Sequence, residues 1–239
     1  MMKAMRGGVR LRGVSKTYGE GAAAVHALRD IDLDISAGEF VAILGPSGSG
    51  KTTLLNVIGG IESADCGAIV VAGQDISGRR PRDLGAFRRA HVGFVFQFFN
   101  LIPTLTAYEN VQALIELTGR GNRRSVSDLL AAVGLSDRAR HFPAQLSGGE
   151  QQRVSIARAL ATDPDLVLAD EPAGALDVAT GRRVLELLQR TSRAGRGVIV
   201  VTHNEAVADV ADHVIRMRDG AIVSADRNAL PADAATIRW

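Results

Sequence analysis

The stretch that most constrains the fold is "EFVAILGPSGSGKTTLLNVIGGI", residues 39–61. "EFVAIL" is a near-continuous apolar run of strand length, as a strand buried on both faces requires. After the glycine loop, Leu54, Leu55 and Ile58 fall on one helical face. A both-faces-buried strand that feeds a helix directly belongs in a parallel sheet covered by helices, so the chain reads as α/β.

Two later runs repeat the buried-strand pattern, "DLVLADEP" near 166–172 and "GVIVVTHN" near 197–204. The amphipathic "GRRVLELLQRTSRAG" lies between them as a crossover helix. "VGFVFQ" (92–97) and "GAIVVAG" (67–73) supply further strands. Upstream, "VRLRGVSKTY" and "HALRDIDLDI" alternate with period two and predict an antiparallel β layer. From about 104 to 160 the periodicity turns helical. The expected architecture is therefore a P-loop core with an N-terminal antiparallel β layer and an inserted α-helical subdomain at about 98–160. The domain spans 9–225, with terminal extensions at 1–8 and 226–239. The tail "ALPADAATIRW" reads as loose or as one short helix. The basic run "SGRRPRDLGAFRRA" (77–90) reads as a solvated helix face.

Chemistry enters at the glycine loop. "GPSGSGKTT" fits G-x-x-x-x-G-K-[ST] between a strand and a helix. Gly45, Gly48 and Gly50, with Pro46, Ser47 and Ser49 between them, let the backbone wrap around phosphates. Lys51 brings charge to β- and γ-phosphates, and Thr52, followed by Thr53, offers a hydroxyl to Mg²⁺. Lys3, Lys16 and Lys51 are the lysines among 28 basic residues, so a lysine inside this loop stands out. "LVLADEP" delivers Asp170 and Glu171 at a strand's carboxyl end, where open α/β sheets place ligands. Asp170 is the candidate metal ligand and Glu171 the candidate base for an attacking water. His203 ends the next strand at the same edge. Gln97 ends another and offers a neutral amide to metal or water.

A second anion-type turn, "LSGGEQQRVSIARAL" (146–160), runs a serine and two glycines into a helix. Ser147, Gly148 and Gly149 make a half-site of N–H groups and helix dipole, with no lysine of its own. Two phosphate-type turns in one chain need an explanation.

Composition serves mainly to exclude. With 46% hydrophobic and 23% charged residues the chain suits a globular domain, and no run approaches the ~18 apolar residues of a membrane helix. "MMKAMRGGVR" lacks the apolar segment of a secretory signal. Cys66 is the single cysteine, which rules out an internal disulfide framework and suits a reducing compartment. A formal charge of +2 gives no strong attraction to nucleic acid, and no nucleic-acid partner is expected.

Taken in order, these motifs resemble the ATP-binding subunit of the ABC transporters, over about residues 9–225. "GPSGSGKTT" resembles the Walker A loop, Gln97 the Q-loop glutamine, "LSGGEQQ" the signature, and "LVLADEP" Walker B. "GALD" (174–177) resembles the D-loop and His203 the switch histidine. Tyr18 matches the family's aromatic that stacks on adenine. "GFVFQFFNLIPTLTAYENV" and "HFPAQLSGGEQQRVSIARAL" are similar to the LolD/MacB/FtsE type. "GALD" departs from the more usual "GNLD" but leaves Asp177 in place. The resemblance implies a RecA-like core, ATP and Mg²⁺ as cofactors, ATP hydrolysis, and a second copy of the chain as partner. In that head-to-tail pair each signature loop closes on the other chain's Walker A site. It also implies an integral membrane permease of the lipoprotein, macrolide or peptide export type, and a cytoplasmic location on the inner face of the membrane. Two other roles stay open on sequence: a transmembrane signalling module of FtsE type, and a soluble ATPase of the iron–sulfur assembly type. The apolar run "QFFNLIPTL" (97–105) either packs the helical subdomain or lines a groove for a permease helix, with Phe99 the test residue.

Overall fold

The computed structural model describes residues 7–119 and 125–237; of the N-terminal extension, 1–6 lie outside the described residues. The chain begins with long antiparallel strands β1 (Val9–Tyr18) and β2 (Val25–Ile35), then the apolar β3 (Phe40–Leu44) and α1 (Lys51–Ile58). Next come β4 (Cys66–Val71), β5 (Gln74–Asp75), α2 (Gly85–His91) and β6 (Val92–Val95). Three helices follow: α3 (Ala107–Thr118), α4 (Val126–Ala132) and α5 (Gly148–Leu160). Then β7 (Leu166–Asp170), α6 (Val178–Arg193) and β8 (Gly197–Thr202) precede the hairpin β9 (His213–Arg218) and β10 (Ala221–Arg227).

The strands form two sheets. One is antiparallel, in the order β2-β1-β4-β5. The other runs β10-β9-β3-β8-β7-β6, parallel from β9 to β6, with β10 antiparallel on the edge. Both faces of the parallel sheet are buried, and the strand alternation divides its side chains between two cores. Val41, Ile43, Ile199 and Val201 meet α1 and the antiparallel sheet through Leu54, Ile58, Leu11 and Ile31. Phe40, Ala42, Val198 and Val200 turn the other way, toward Val184, Leu185 and Leu188 of α6 and Ile156 of α5. Each such fully buried Leu or Ile stabilises the fold by about 1.5–3 kcal/mol. Burial on both sides is why these strands lack a polar face in the sequence.

Helices α3, α4 and α5 each start on a capping box: Thr106 with Glu109, Ser125 with Asp128, and Ser147 with Glu150. The tail takes the short-helix form and is docked. A single 3-10 turn, Ala234–Thr236, buries Ala234 and Ile237 in the α6 core. The buried Gln189 of α6 anchors it, donating to Ala232 O (2.8 Å) and accepting from Ala234 N (3.1 Å). Most of the 77–90 arginines are solvated, but Arg88 reaches inward and donates to the carbonyls of Gly60 (2.6 Å) and Pro81 (2.8 Å).

Candidate functional site

The carboxyl ends of β3, β7 and β8 share one edge of the parallel sheet, because all three run the same way. A cavity of about 490 Å³ opens there. The loop Ser47–Thr53 forms one wall, and Tyr18, Gln97, Asp170, Glu171 and His203 line the rest with Val25, Ala27 and Val201. Residues far apart in sequence thus meet at one place. Gly45 and Pro46 lie behind the loop, where their carbonyls accept hydrogen bonds from Lys51 Nζ at 2.8 and 2.9 Å.

The loop's shape depends on Gly50. It caps α1 with φ +97°, and a Cβ there would sit 2.2 Å from Ala27 O, so no other residue fits without moving β2. The α1 N-terminus therefore faces the cavity with its first N–H groups free of intrahelical partners. Burial lowers the Lys51 pKa, while the negative Glu171 and Asp170 act in the opposite direction. A lysine resting on two neutral carbonyls, short of countercharge, is set to receive an anion.

Asp170 shows the complementary imbalance. Burial raises its pKa and the charge of Glu171 adds to this, whereas the Thr52 hydroxyl and Lys51 oppose it. A half-buried carboxylate hydrogen-bonded to a hydroxyl is a pair of hard oxygen donors, the kind Mg²⁺ takes. Among the described residues no group of three or more His, Cys, Asp and Glu forms a protein metal cage. A divalent ion at Thr52 and Asp170 would complete its shell with water and phosphate oxygens, so the residues fit Mg²⁺ carried with a nucleotide.

Glu171 follows β7 in a left-handed conformation, φ +45°, which costs a residue with a Cβ about 1–2 kcal/mol. Its N–H is held by Val201 O at 2.8 Å. The carboxylate accepts from the Thr202 hydroxyl (2.8 Å) and from His203 N–H (3.1 Å), and His203 Nδ1 stands 2.8 Å from Oε1. The twist turns the side chain from its strand toward β8, where both oxygens are engaged. Thr202 is a functional neighbour that sequence reasoning missed; its one signal was its place directly before His203. Glu62 was missed as well. It accepts the Tyr18 hydroxyl across 44 positions of sequence, and no motif pointed to it.

The second anion-type loop lies outside this cavity. Ser147 caps α5: its Oγ accepts Glu150 N–H (3.2 Å), while its own N–H goes to the Glu150 carboxylate (2.8 Å). The Ser147 N–H is thereby used internally, and the free first-turn N–H groups belong to Gly148 and Gly149. Arg138 holds Glu150 at 3.1 Å, and the Ser147 N–H, the Ser147 hydroxyl and Arg138 together lower the pKa of that carboxyl. Ser147 and Gly148 are exposed; Gly149 is buried, and a Cβ there would lie 2.2 Å from Thr180 Cγ2. Asp177 caps α6 by accepting Thr180 N–H at 3.1 Å. Gly149 thus packs closely on the first turn of α6, and neither Ser147, Gly148, Gly149 nor Asp177 lines the cavity.

The apolar run after Gln97 divides its residues. Leu101 packs on the α6-side core, while Phe98 is 78% exposed. Phe99 stands against Gly148, 3.7 Å from where its Cβ would be. A separate groove of about 480 Å³ along β6, α2 and α3 is lined by Phe94, Phe96, Ile102, Leu114 and Leu117, with Arg89 among its polar residues. Phe99 does not line it; of this run Asn100 and Ile102 do.

Comparison with known proteins gives consistent matches. A family model described as ABC transporter matches residues 28–174. The macrolide export ATP-binding/permease protein MacB of Rhodopseudomonas palustris is 47% identical, over 93% of this chain and 34% of that protein. The chain therefore spans about a third of the length of that relative. An ABC transporter ATP-binding protein of Thermotoga maritima is 44% identical, over 91% of this chain and 94% of its own length. The structure of the ATP-binding cassette MJ0796, a dimer in a post-hydrolysis state bound to ADP and Pi, superposes with TM-score 0.84. It is 41% identical and covers 92% of this chain and 98% of its own. Among the described residues no helix is long and apolar enough to cross a membrane.

Proposed function

Because the chain belongs to the ABC transporter family, as an ATPase cassette of it, we propose that it dimerises around two ATP and powers a membrane permease. In this reading the cassette spans residues 9–225, with the helical subdomain at about 98–160, and the chain works on the inner face of the membrane. One observation carries the proposal: a single cavity joins the Lys51 loop, the Asp170–Glu171 pair and His203.

The phosphates of ATP take the place of the Gly45 and Pro46 carbonyls as partners of Lys51 Nζ. The N–H groups of residues 48–53 surround them. Tyr18 offers its ring to adenine. Mg²⁺, when bound through Thr52 and Asp170, supplies charge neutralisation on the phosphate oxygens. Gln97, at the cavity wall, would offer its amide to water or to the metal. Glu171 accepts a proton from the attacking water as its oxygen bonds the γ-phosphorus and ADP leaves. For this the carboxylate must give up part of its hold on His203, so the switch histidine and the base share one hydrogen bond between resting and reacting states. Ser147, Gly148 and Gly149 close on the γ-phosphate of the partner's ATP, with Asp177 at the same interface. The head-to-tail pairing draws support from the dimeric MJ0796 cassette and from the separation of the two loops within one chain.

The permease belongs to the lipoprotein, macrolide or peptide export type, a reading supported by the MacB relative. Its cytoplasmic segment docks in the groove of Phe96, Ile102 and Leu117, which follows directly on Gln97 and so couples nucleotide state to the membrane. Leu117 is 80% exposed, so a polar residue there leaves the fold intact. Leu117→Glu is expected to abolish stimulation of ATPase activity by the copurified permease while basal activity persists. Copurification with a soluble partner and no membrane protein contradicts the proposal.

A further inference from the structure

Tyr18 ends β1 and belongs to neither core, and it is 40% exposed. A ring so placed would otherwise be free to rotate, and ordering it on ligand binding costs free energy. Here it is already ordered. Its hydroxyl donates to Glu62 Oε2 and lies 3.5 Å from Thr53 Oγ1. The other Glu62 oxygen accepts from Asn56 Nδ2 at 2.7 Å. The Asn56 carbonyl in turn accepts the N–H groups of Ile61 (2.9 Å) and Glu62 (3.3 Å), which closes the turn after α1. Lys16 Nζ stands 5.6 Å from the ring centroid and is tied to Asp65 at 2.9 Å.

We propose that Glu62 is a positioning residue for the nucleotide: held by Asn56, its carboxylate anchors the Tyr18 hydroxyl and fixes the ring as a preset platform for the base. This rests on the base-stacking reading of Tyr18. Asn56 lies in α1, the helix whose first residue is Lys51. The strut therefore ties the base platform to the element that carries the phosphate lysine, and sets the spacing between the two ends of the ligand before it arrives. Lys16 covers one face of the ring, leaving the opposite face for the base. Burial and the neighbouring Glu62 raise the Tyr18 pKa, so the hydroxyl stays a donor across the neutral range.

A strut of this kind acts on binding and leaves the chemical step alone. Steady-state kinetics of Tyr18→Ala, Tyr18→Phe, Glu62→Ala and the double variant Tyr18→Phe/Glu62→Ala test it. Tyr18→Phe and Glu62→Ala should each raise KM for ATP roughly threefold to tenfold, the net worth of one hydrogen bond, with kcat within about twofold. The double variant should exceed neither, because both singles break the same bond. If Glu62→Ala folds poorly, Tyr18→Phe breaks that bond from the other side and leaves Asn56–Glu62 intact. Should Tyr18→Ala raise KM while Tyr18→Phe and Glu62→Ala do not, the platform needs no strut and the proposal falls. Additive effects of the two singles overturn it equally. An unchanged KM in Tyr18→Ala removes the stacking reading itself, and the strut with it.

Discussion

The two glycine turns that open α1 and α5 look alike in sequence and are built for different tasks. The α1 turn is exposed at Pro46, Ser47 and Gly48, but its Lys51 is buried on carbonyls that do not neutralise it. Around it stand Asp170, Glu171 and His203. The α5 turn is exposed at Ser147 and Gly148, lacks a lysine, and spends its serine N–H on Glu150. The first holds a full set of groups for an anion and its metal. The second packs through Gly149 against α6 and, in the proposed reading, closes on the cavity of another copy, which would explain why one chain carries both.

The sharpest way to break the contrast is to remove chemistry from the first region while sparing its binding. Glu171→Gln keeps the shape, its oxygen accepting His203 N–H while its NH2 donates to the Thr202 hydroxyl, and hydrolysis should fall at least ~10²-fold. ATP should still bind, and an ATP-bound dimer should accumulate on size exclusion. Turnover near the unmodified rate would mean another group is the base. Lys51→Ala should instead act on binding, weakening ATP affinity at least about tenfold, the low end for losing a hydrogen bond to a charged group. Isothermal titration measures this, and unaltered affinity would leave Lys51 without a role.

Sequence reading captured the first region far better than the second. The apolar runs of β3, β7 and β8 and the loop Gly45–Thr53 are local signals, and Ser47–Thr53, Asp170, Glu171 and His203 meet in one cavity. The S-x-x-E of Ser147 and Glu150 was also local, but reading the turn as an anion site drew attention from the capping box it encodes. Other features are pairings across the fold that leave no local pattern. Glu62 meets Tyr18 because the turn after α1 lies beside the end of β1, and Gln189 secures Ala232 and Ala234 some forty positions on. Hydrophobicity alone left Phe99 open between core and groove; in the fold its ring lies beside Gly148, and its carbonyl accepts from Arg158 at 2.9 Å.

Smaller effects sharpen the account of the second region. Gly149→Ala pushes a methyl into Thr180 and should destabilise the chain by about 1–3 kcal/mol, read from the urea midpoint at constant slope. Full stability would mean α5 and α6 are not braced there. The weakest signal comes from Asp177, whose pKa is lowered by the Thr180 side chain and N–H. A depressed carboxyl contributes stability that is present above its unfolded value, about 3.9, and is lost as pH falls through the folded value. Asn caps as well as Asp but does not titrate. Asp177→Asn should therefore match the unmodified chain at neutral pH and lose less stability below pH ~4. Identical acid slopes would show that the cap is not charge-dependent.

The central claim, that the α5 loop serves the cavity of another copy, is tested most directly by cross-linking. Cys66 is exposed and is the single native thiol, so Cys66→Ser gives a clean background. Into it go Glu171→Gln, to hold the closed state, with Ser47→Cys and Ser147→Cys. A short bifunctional thiol reagent should then join two chains, doubling the mass on a denaturing gel. The yield should rise with ATP and Mg²⁺, because anionic ATP draws the two half-sites together. Links confined to single chains, with nucleotide demonstrably bound, would contradict the account.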